Sequence, residues 1–381
     1  MSKKKNDINP FELFTYRGPK YFCDREDELK ALIQAFENRR NIVLGAQRRI
    51  GKTSLIQHFQ YHLERDHNAT CVYVDMLNTR SDLGFINNFA TAVINTLEEK
   101  EGRVSKFVQM FKNFRPEASF DPISGAPTFS LNIENKQELK FSFDAIMNLL
   151  LERKENIQIS IDEFQQIENY EEPSMIDATI RSYFPKAKNL HFLFSGSEEH
   201  LLSTLFSNPK KPLFSSTEWM NLYNIGYDPY FKFIKENFEN NGKRISDFSI
   251  HRILKWTNQV TFYTHYICNL LYLASDKEVT EELVNRTMQN CLKQFESSYY
   301  YYQKILSNNQ YALLKSIAKE GDAKYLTSKT FLNKYNFSAS SVKQSLDVLL
   351  EKQMVREKID KNGKTYNVYD VFLARWLATR K

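Results

Sequence analysis

Residues 45 to 54 read Gly45-Ala46-Gln47-Arg48-Arg49-Ile50-Gly51-Lys52-Thr53-Ser54, directly after the run Asn41-Ile42-Val43-Leu44. An apolar run, a glycine-containing turn and an amphipathic segment from Ser54 to Tyr61 predict strand, loop and helix, the setting a phosphate-binding loop needs. A turn that wraps an anion must direct several backbone N–H groups inward, with no side chain in the way. Lys52 would then reach the β- and γ-phosphates of a nucleotide, and the Thr53 hydroxyl would ligate Mg2+. The usual spacing is Gly, four residues, then Gly-Lys-Ser/Thr, and counting back from Gly51 reaches Ala46 rather than Gly45. Either Ala46 fills the first glycine place or the turn carries one extra residue; the small side chain of alanine favours the first.

Two further runs fit one site with this loop. Ile157-Gln158-Ile159-Ser160-Ile161-Asp162-Glu163 predicts a strand that ends in two acids. Phosphoryl transfer needs a cation on the phosphate oxygens and a residue that orients the attacking water. Asp162 is the candidate for holding Mg2+, directly or through water, and Glu163 the candidate for polarising the water. His191-Phe192-Leu193-Phe194-Ser195-Gly196-Ser197 predicts another strand. Ser195 and Ser197 there are either γ-phosphate sensors or plain turn residues. Strands alternating with helices predict a mostly parallel sheet covered on both faces, with ligands at the carboxyl ends of its strands. All three runs end there. Arg48, Arg49 and Arg181 are candidates for completing the charge, or else ion-pair partners.

The rest of the chain divides by pattern. Residues 1–20 are polar and read as an N-terminal arm. Asp24 to Asn38 carries Leu29, Leu32, Ile33 and Phe36 at helical spacing, with Asp24 as candidate N-cap. Cys71 to Asp75 is a short strand, and Phe85 to Leu97, Phe141 to Leu151 and Asp177 to Phe184 are helical. Pro116, Pro122, Gly125 and Pro127 break up an insertion or hairpin at about 112–140, in which Thr128 to Ile133 alternates as an exposed strand. From about 226 to 297 the pattern is helical, and the run Tyr299 to Tyr302 marks a junction before a compact unit over 306–381.

Bulk properties narrow the class. The chain has 381 residues, with 42% hydrophobic and 26% charged, which suits a globular protein of two or three domains. No apolar run reaches the ~18 residues of a membrane span. The lysine-rich start lacks the apolar stretch of a secretory signal. Cys23, Cys71, Cys268 and Cys291 show neither disulfide nor metal-ligand spacing and read as buried thiols of a cytoplasmic protein. Residues 306–381 carry 14 Lys/Arg against 7 Asp/Glu, whereas the remainder carries 38 against 39. The positive excess therefore sits in the last fifth, which suits either a nucleic-acid-facing end or a solvated basic surface.

Together these runs resemble the archaeal-type ATPase family of the AAA+/STAND P-loop class. Tyr21-Phe22-Cys23-Asp24-Arg25-Glu26-Asp27-Glu28-Leu29 resembles its Phe-x-x-Arg-Glu-x-Glu-Leu entry motif. Ala46 to Leu55 is similar to its Gly-Pro-Arg-Arg-x-Gly-Lys-Thr-Ser-Leu loop, which puts Ala46 in the first glycine place and Gln47 where proline is frequent. Ile161-Asp162-Glu163-Phe164-Gln165 resembles its Walker B strand, and Phe194-Ser195-Gly196-Ser197 its sensor strand. Two stretches depart from the pattern: Pro212-Leu213-Phe214-Ser215-Ser216 lacks the arginine of Pro-Leu-x-Gly-Arg, and Gln259-Val260-Thr261-Phe262-Tyr263 stands for Gly-His-Pro-Tyr in the lid. The resemblance implies an ATPase core over 21–225, a helical lid over 226–300 and a winged helix-turn-helix over 306–381. It also implies ATP and Mg2+ as cofactors, bound through Ala46 to Ser54, Ser195 and Ser197, and the two departures imply slow turnover.

The sequence supports the winged helix independently. Tyr311 to Ala318, Thr327 to Tyr335 (capped by Thr327 or Ser328) and Ser338 to Lys352 predict three helices, the third with Val342, Leu346, Leu349 and Leu350 inward. Met354 to Glu357 and Thr365 to Tyr369 bracket Lys361-Asn362-Gly363-Lys364, where Asn-Gly favours a tight hairpin. Ser340, Ser341, Lys343 and Gln344 are candidates for a major groove, and Lys358, Lys361 and Lys364 for phosphates, so that 338–364 would meet duplex DNA. The competing use of such a module is contact with a protein partner or self-association. The expected function is a nucleotide-controlled switch. The alternatives are a DNA-binding regulator with a mainly structural nucleotide site, and a protein-interaction ATPase of a mobile-element or defence system.

Overall fold

The computed structural model describes residues 9–101, 117–120, 127–130, 135–360 and 363–380. The chain forms two compact units. One is Phe14–Ile225; the other joins Gly226–Lys381 to the chain before Phe14.

The strands of the first unit are β1 (Ile42–Ala46), β2 (Thr70–Asp75), β3 (Glu117–Phe120), β4 (Pro127–Ser130), β5 (Ile157–Asp162), β6 (Leu190–Gly196) and β7 (Glu218–Leu222). Five of them make a parallel sheet in the order β2-β5-β6-β1-β7. Every residue of β1, β5 and β6 is buried. Strands covered on both faces need continuous apolar runs, which is why these three read so clearly in the sequence. The core on one side gathers Val72, Val74, Phe85, Phe89, Phe143, Ile159 and Phe192, with Phe143 edge-on to both Phe85 and Phe89. β6 lies between β1 and β5, with Gly45 opposite Gly196 and Asp75 opposite Asp162. The loop after β1 and the ends of β5 and β6 therefore meet at one edge of the sheet.

Three differences from the sequence reading have physical causes. Asp24 does not cap the first helix: α1 is Glu26–Glu37 and its N-cap is Arg25, without a side-chain cap bond. Asp24 and Arg25 both adopt left-handed backbone, with φ of 59° and 79°, and the turn they make sends Arg25 inward rather than Asp24 onto the helix end. β7 escaped the sequence because it is an edge strand with only Leu222 buried. The tyrosine run is not a break: the helix Glu281–Ile305 passes through it and ends at Leu306. Of the expected insertion at 112–140, β3 and β4 form an antiparallel pair and a helix begins at Lys136; residues 112–116, 121–126 and 131–134 lie outside the described residues.

In the second unit the helices Tyr227–Glu239, Asp247–Thr257, Thr261–Ala274 and Glu281–Ile305 come first. β8 (Arg244–Ile245) and β9 (Glu278–Val279) pair in parallel between them. Phe11 of the N-terminal arm is fully buried here, with its ring 5.1 Å from Phe238 and near Phe233, His265 and Tyr272. His265 Nδ1 bonds the Glu12 carbonyl at 2.8 Å, and Asn9 and Asn269 exchange bonds with each other's neighbourhood through the Asn269 and Phe11 carbonyls.

The helices Asn308–Glu320, Lys329–Tyr335 and Ala339–Glu351 follow, capped by Ser307, Ser328 and Ser338. β10 (Ala323–Lys324), β11 (Val355–Asp360) and β12 (Gly363–Val368) form an antiparallel sheet in the order β10-β12-β11. This is the three-helix and wing pattern read from the sequence, with Gly363 at φ 103°. Lys361 and Asn362 of the expected turn lie outside the described residues. A final helix, Val371–Ala378, went unread because it is short and nearly wholly apolar. It wedges Phe372 among Trp256, Tyr263, Tyr266 and Phe295. Arg375 donates to the Trp256 and Lys255 carbonyls and to Asn258 Oδ1 at 2.8–3.0 Å.

Candidate functional site: a phosphate loop over two carboxylates

β1 delivers the chain into the loop and α2 (Lys52–Asp66) takes it out. Ala46 is the last residue of β1 and is fully buried. Its φ is not positive, whereas Arg49 and Gly51 have φ of 72° and 91°. The left-handed turn is therefore made at Arg49 and Gly51, and alanine meets no backbone penalty in the first glycine place. Alternating handedness along a short loop turns successive amides toward one point. The first N–H groups of α2 have no partners within the helix. Gly45 serves packing instead: a Cβ there would lie 2.8 Å from Trp219 Cζ2. Gln47, Arg48 and Arg49 are in the loop, Ile50 is buried beneath it, and Ser54 is in the first turn of α2.

Lys52 is 7% exposed and its ammonium sits 2.8 Å from both Asp162 Oδ1 and Glu163 Oε1. Asp162, 3% exposed, accepts from Thr53 Oγ1 at 2.8 Å, Tyr73 OH at 3.0 Å and Ser195 Oγ at 2.6 Å. Glu163 Oε2 accepts from Gln165 Nε2 at 2.5 Å and from Ser197 Oγ at 2.8 Å. Arg48 Nε donates to Ser197 Oγ at 3.0 Å, and the guanidinium pairs with Glu198 at 3.2 Å. Residues more than 100 apart in sequence thus form one connected cluster.

The electrostatics follow from this packing. Burial pushes the Asp162 carboxyl upward, but the charge and hydrogen bond of Lys52, with those of Ser195 and Thr53, outweigh it and hold it below its ordinary value. Glu163 behaves alike: burial raises it, and Lys52 and Gln165 bring it down despite the charge of Asp162. Both are carboxylates at neutral pH. Burial and the charge of Asp162 push the Tyr73 phenol up, so it stays a donor. Two carboxylates, that of Asp162 buried and that of Glu163 partly so, beside a threonine hydroxyl already bonded to Asp162, are an oxygen-rich donor set of the kind Mg2+ selects. Thr53 and Asp162 would hold it.

Sequence reasoning did not assign three residues of this site. Arg25, 4% exposed, bonds Glu28 at 2.8 Å and the Ile50 carbonyl at 3.3 Å, and so braces the loop from α1. Tyr73 reaches Asp162 from β2. Gln165 reaches Glu163 from the turn after β5. Arg25 and Gln165 lie within quoted motifs, so position was the available signal; nothing in the pattern of β2 singled out Tyr73. Arg181 lies over the ring of Phe184, in the helix Ile176–Tyr183. In the departure segment, Leu213 is fully buried and Ser215 takes φ of 50°.

Residues 22–260 match the family model of an ATPase domain predominantly from Archaea, and residues 297–379 match that of a probable winged helix domain. No curated protein sequence matches the chain. Among solved structures it is similar to a Walker-type ATPase of Pyrococcus abyssi at 16% identity, covering 97% of this chain and 99% of that one with a TM-score of 0.66. It is similar to the ORC2 protein of Aeropyrum pernix, solved in ADPNP–ADP complexes, at 13% identity, 98% and 97% coverage and a TM-score of 0.57. The ORC1 protein of the same organism, solved in complex with DNA, gives 11% identity, 94% and 92% coverage and 0.51. Identities this low speak to the fold, whereas the family model spans more than half of the chain. The chain belongs to the family of ATPase domains predominantly from Archaea, as a nucleotide-binding P-loop ATP hydrolase with a C-terminal winged helix domain.

Proposed function

We propose that the chain is a slow, Mg2+-dependent ATPase whose nucleotide state controls what its winged helix engages, a switch of the STAND kind. In this reading 21–225 is the ATPase core, 226–300 a helical lid and 306–381 the winged helix. Lys52 neutralises the β- and γ-phosphates. Thr53 and Asp162 would hold Mg2+, which would supply charge neutralisation to the bound nucleotide. Glu163 takes the proton of the attacking water, and Ser195 and Ser197 lie where a γ-phosphate would be sensed. The observation that carries the reading is the Lys52 ammonium 2.8 Å from both carboxylates, with Thr53 on one of them. A phosphate that draws Lys52 away frees Glu163 as the same event.

The switch reading draws on the second unit. Arg375 and Phe372 lock the terminal helix into the helices that precede the winged helix, so movement of one carries the other. Duplex DNA is the partner favoured by exposed Ser340, Lys343 and Gln344 on one helix face, although Lys364 is paired with Glu357 at 3.0 Å. Among the described residues no helix is long and apolar enough to cross a membrane. Size-exclusion chromatography with light scattering, with and without ATP and Mg2+ and again with duplex DNA, tests the reading. Assembly or DNA co-elution that changes with nucleotide supports it, and DNA co-elution indifferent to nucleotide favours the regulator with a mainly structural nucleotide site instead. Identical profiles in every condition sink it.

A further inference from the structure

The two oxygens of Glu163 are held unequally. Among the described residues Oε1 is bonded by Lys52 alone, at 2.8 Å. Oε2 receives three donors: Gln165 Nε2 at 2.5 Å, Ser197 Oγ at 2.8 Å and the Ser197 N–H at 3.3 Å. Glu163 itself has left-handed backbone, φ 56°, so its side chain leaves the end of β5 in a direction that the donors around Oε2 must fix.

Gln165 is fully buried, and its orientation is forced. Its amide nitrogen must face the carboxylate, since the amide oxygen would repel it. That leaves Gln165 Oε1 buried without a donor among the described residues, an arrangement that costs stability. The amide also depends on the strand beside it. A Cβ at Gly196 would lie 2.0 Å from Gln165 Oε1 and 3.0 Å from its Cδ, so only glycine leaves room. A side chain that carries an unpaired polar atom and needs a glycine opposite it is a poor choice for packing. It is a good choice for holding a carboxylate.

We infer that Gln165 is a positioning residue: it pins Oε2 of Glu163, so that once Lys52 turns to a phosphate, Oε1 alone is free to act on water. The inference rests on the reading of Glu163 as the base. In that step the water oxygen bonds the γ-phosphorus and its proton passes to Oε1. The bridging oxygen leaves with the electron pair of the broken P–O bond. Losing the Gln165 donor removes the shortest of the three bonds on Oε2 and leaves the carboxylate held from the Ser197 side only, and misplacement on the scale of 1 Å costs about 100-fold in rate.

The test is Gln165→Met in the full chain, which keeps length and volume and removes the donor. The expected result is kcat lower by about 10- to 100-fold with ATP affinity within about threefold of the native protein. A merely structural glutamine would be replaced by methionine with no loss of kcat at unchanged affinity, and native kcat overturns the inference. If Gln165→Met fails to fold, Gly196→Ala pushes the intact amide off Glu163 and is expected to lower kcat in the same way; a native rate there overturns it. Glu163→Gln separates the two levels. If it hydrolyses ATP at the native rate, the reading of Glu163 fails and takes this inference with it. If it is inactive while Gln165→Met and Gly196→Ala are both native, the inference alone fails.

Discussion

Replacing Glu163 by glutamine changes one atom of the cluster and separates binding from chemistry. A glutamine there can place its carbonyl oxygen where Oε2 now accepts from Gln165 and from the Ser197 hydroxyl and N–H. Only the contact with Lys52 is lost, and Lys52 keeps Asp162 at 2.8 Å. The fold should therefore lose no more than about 1–3 kcal/mol, the cost of one charge-assisted hydrogen bond. The charge of the Lys52–Asp162–Glu163 group rises from −1 to 0, so an incoming phosphate meets one negative charge fewer and affinity should hold or tighten. What disappears is the group that takes the proton, a contribution of about 10²–10⁴ in rate, or about 3–5 kcal/mol at 1.36 kcal/mol per decade. Single-turnover hydrolysis of labelled ATP gives the rate, and titration with a fluorescent ATP analogue gives the affinity. Hydrolysis within a few-fold of native, with nucleotide bound, would refute the assignment of Glu163.

Two other outcomes follow from the packing. Burial, joined by the charges of His62 and Arg65, pushes His58 from 6.5 to about 4; burial, joined by Arg39, does the same to His191. In the unfolded chain both titrate near 6.5, so the stability they contribute is complete above about 6.5 and is lost as pH falls toward 4, about 2–3 kcal/mol for each. Urea unfolding from pH 7 to pH 4.5 should show the decline and His191→Leu should cut it to about half, His58 supplying the rest; an unchanged slope in the variant contradicts this. Arg375→Ala removes three hydrogen bonds from the turn after Thr257 and should cost about 1.5–3 kcal/mol. Hydrogen exchange at Lys255–Asn258 should rise with it, and unchanged protection there would show that Phe372 alone holds the terminal helix.

The parallel sheet was legible because its inner strands are buried on both faces and read as unbroken apolar runs. The site was legible where the chemistry dictates the residue: a lysine after a turn glycine, and acids at a strand end. What stayed hidden is of another kind. Arg25 braces the loop only because Asp24 and Arg25 both turn left-handed, a local strain that no periodicity signals. Tyr73 reaches Asp162 because β2 lies beside β5, a neighbour relation set by strand order. The terminal helix is apolar nearly all round, so it lacks the amphipathic period that reveals a surface helix. The tyrosine run looked like a boundary because it breaks composition, yet tyrosine does not end a helix.

The central claim is that Lys52 exchanges the two carboxylates for the phosphates of ATP. Equilibrium ATP binding to Lys52→Ala and native protein, with Mg2+ and with folding checked by thermal melts, tests it most directly. Removing the ammonium leaves the buried Asp162 and the partly buried Glu163 without their countercharge, so the variant should be less stable by about 3–5 kcal/mol and should no longer bind ATP while still folded at low temperature. A folded Lys52→Ala protein that binds ATP with native affinity would contradict the claim.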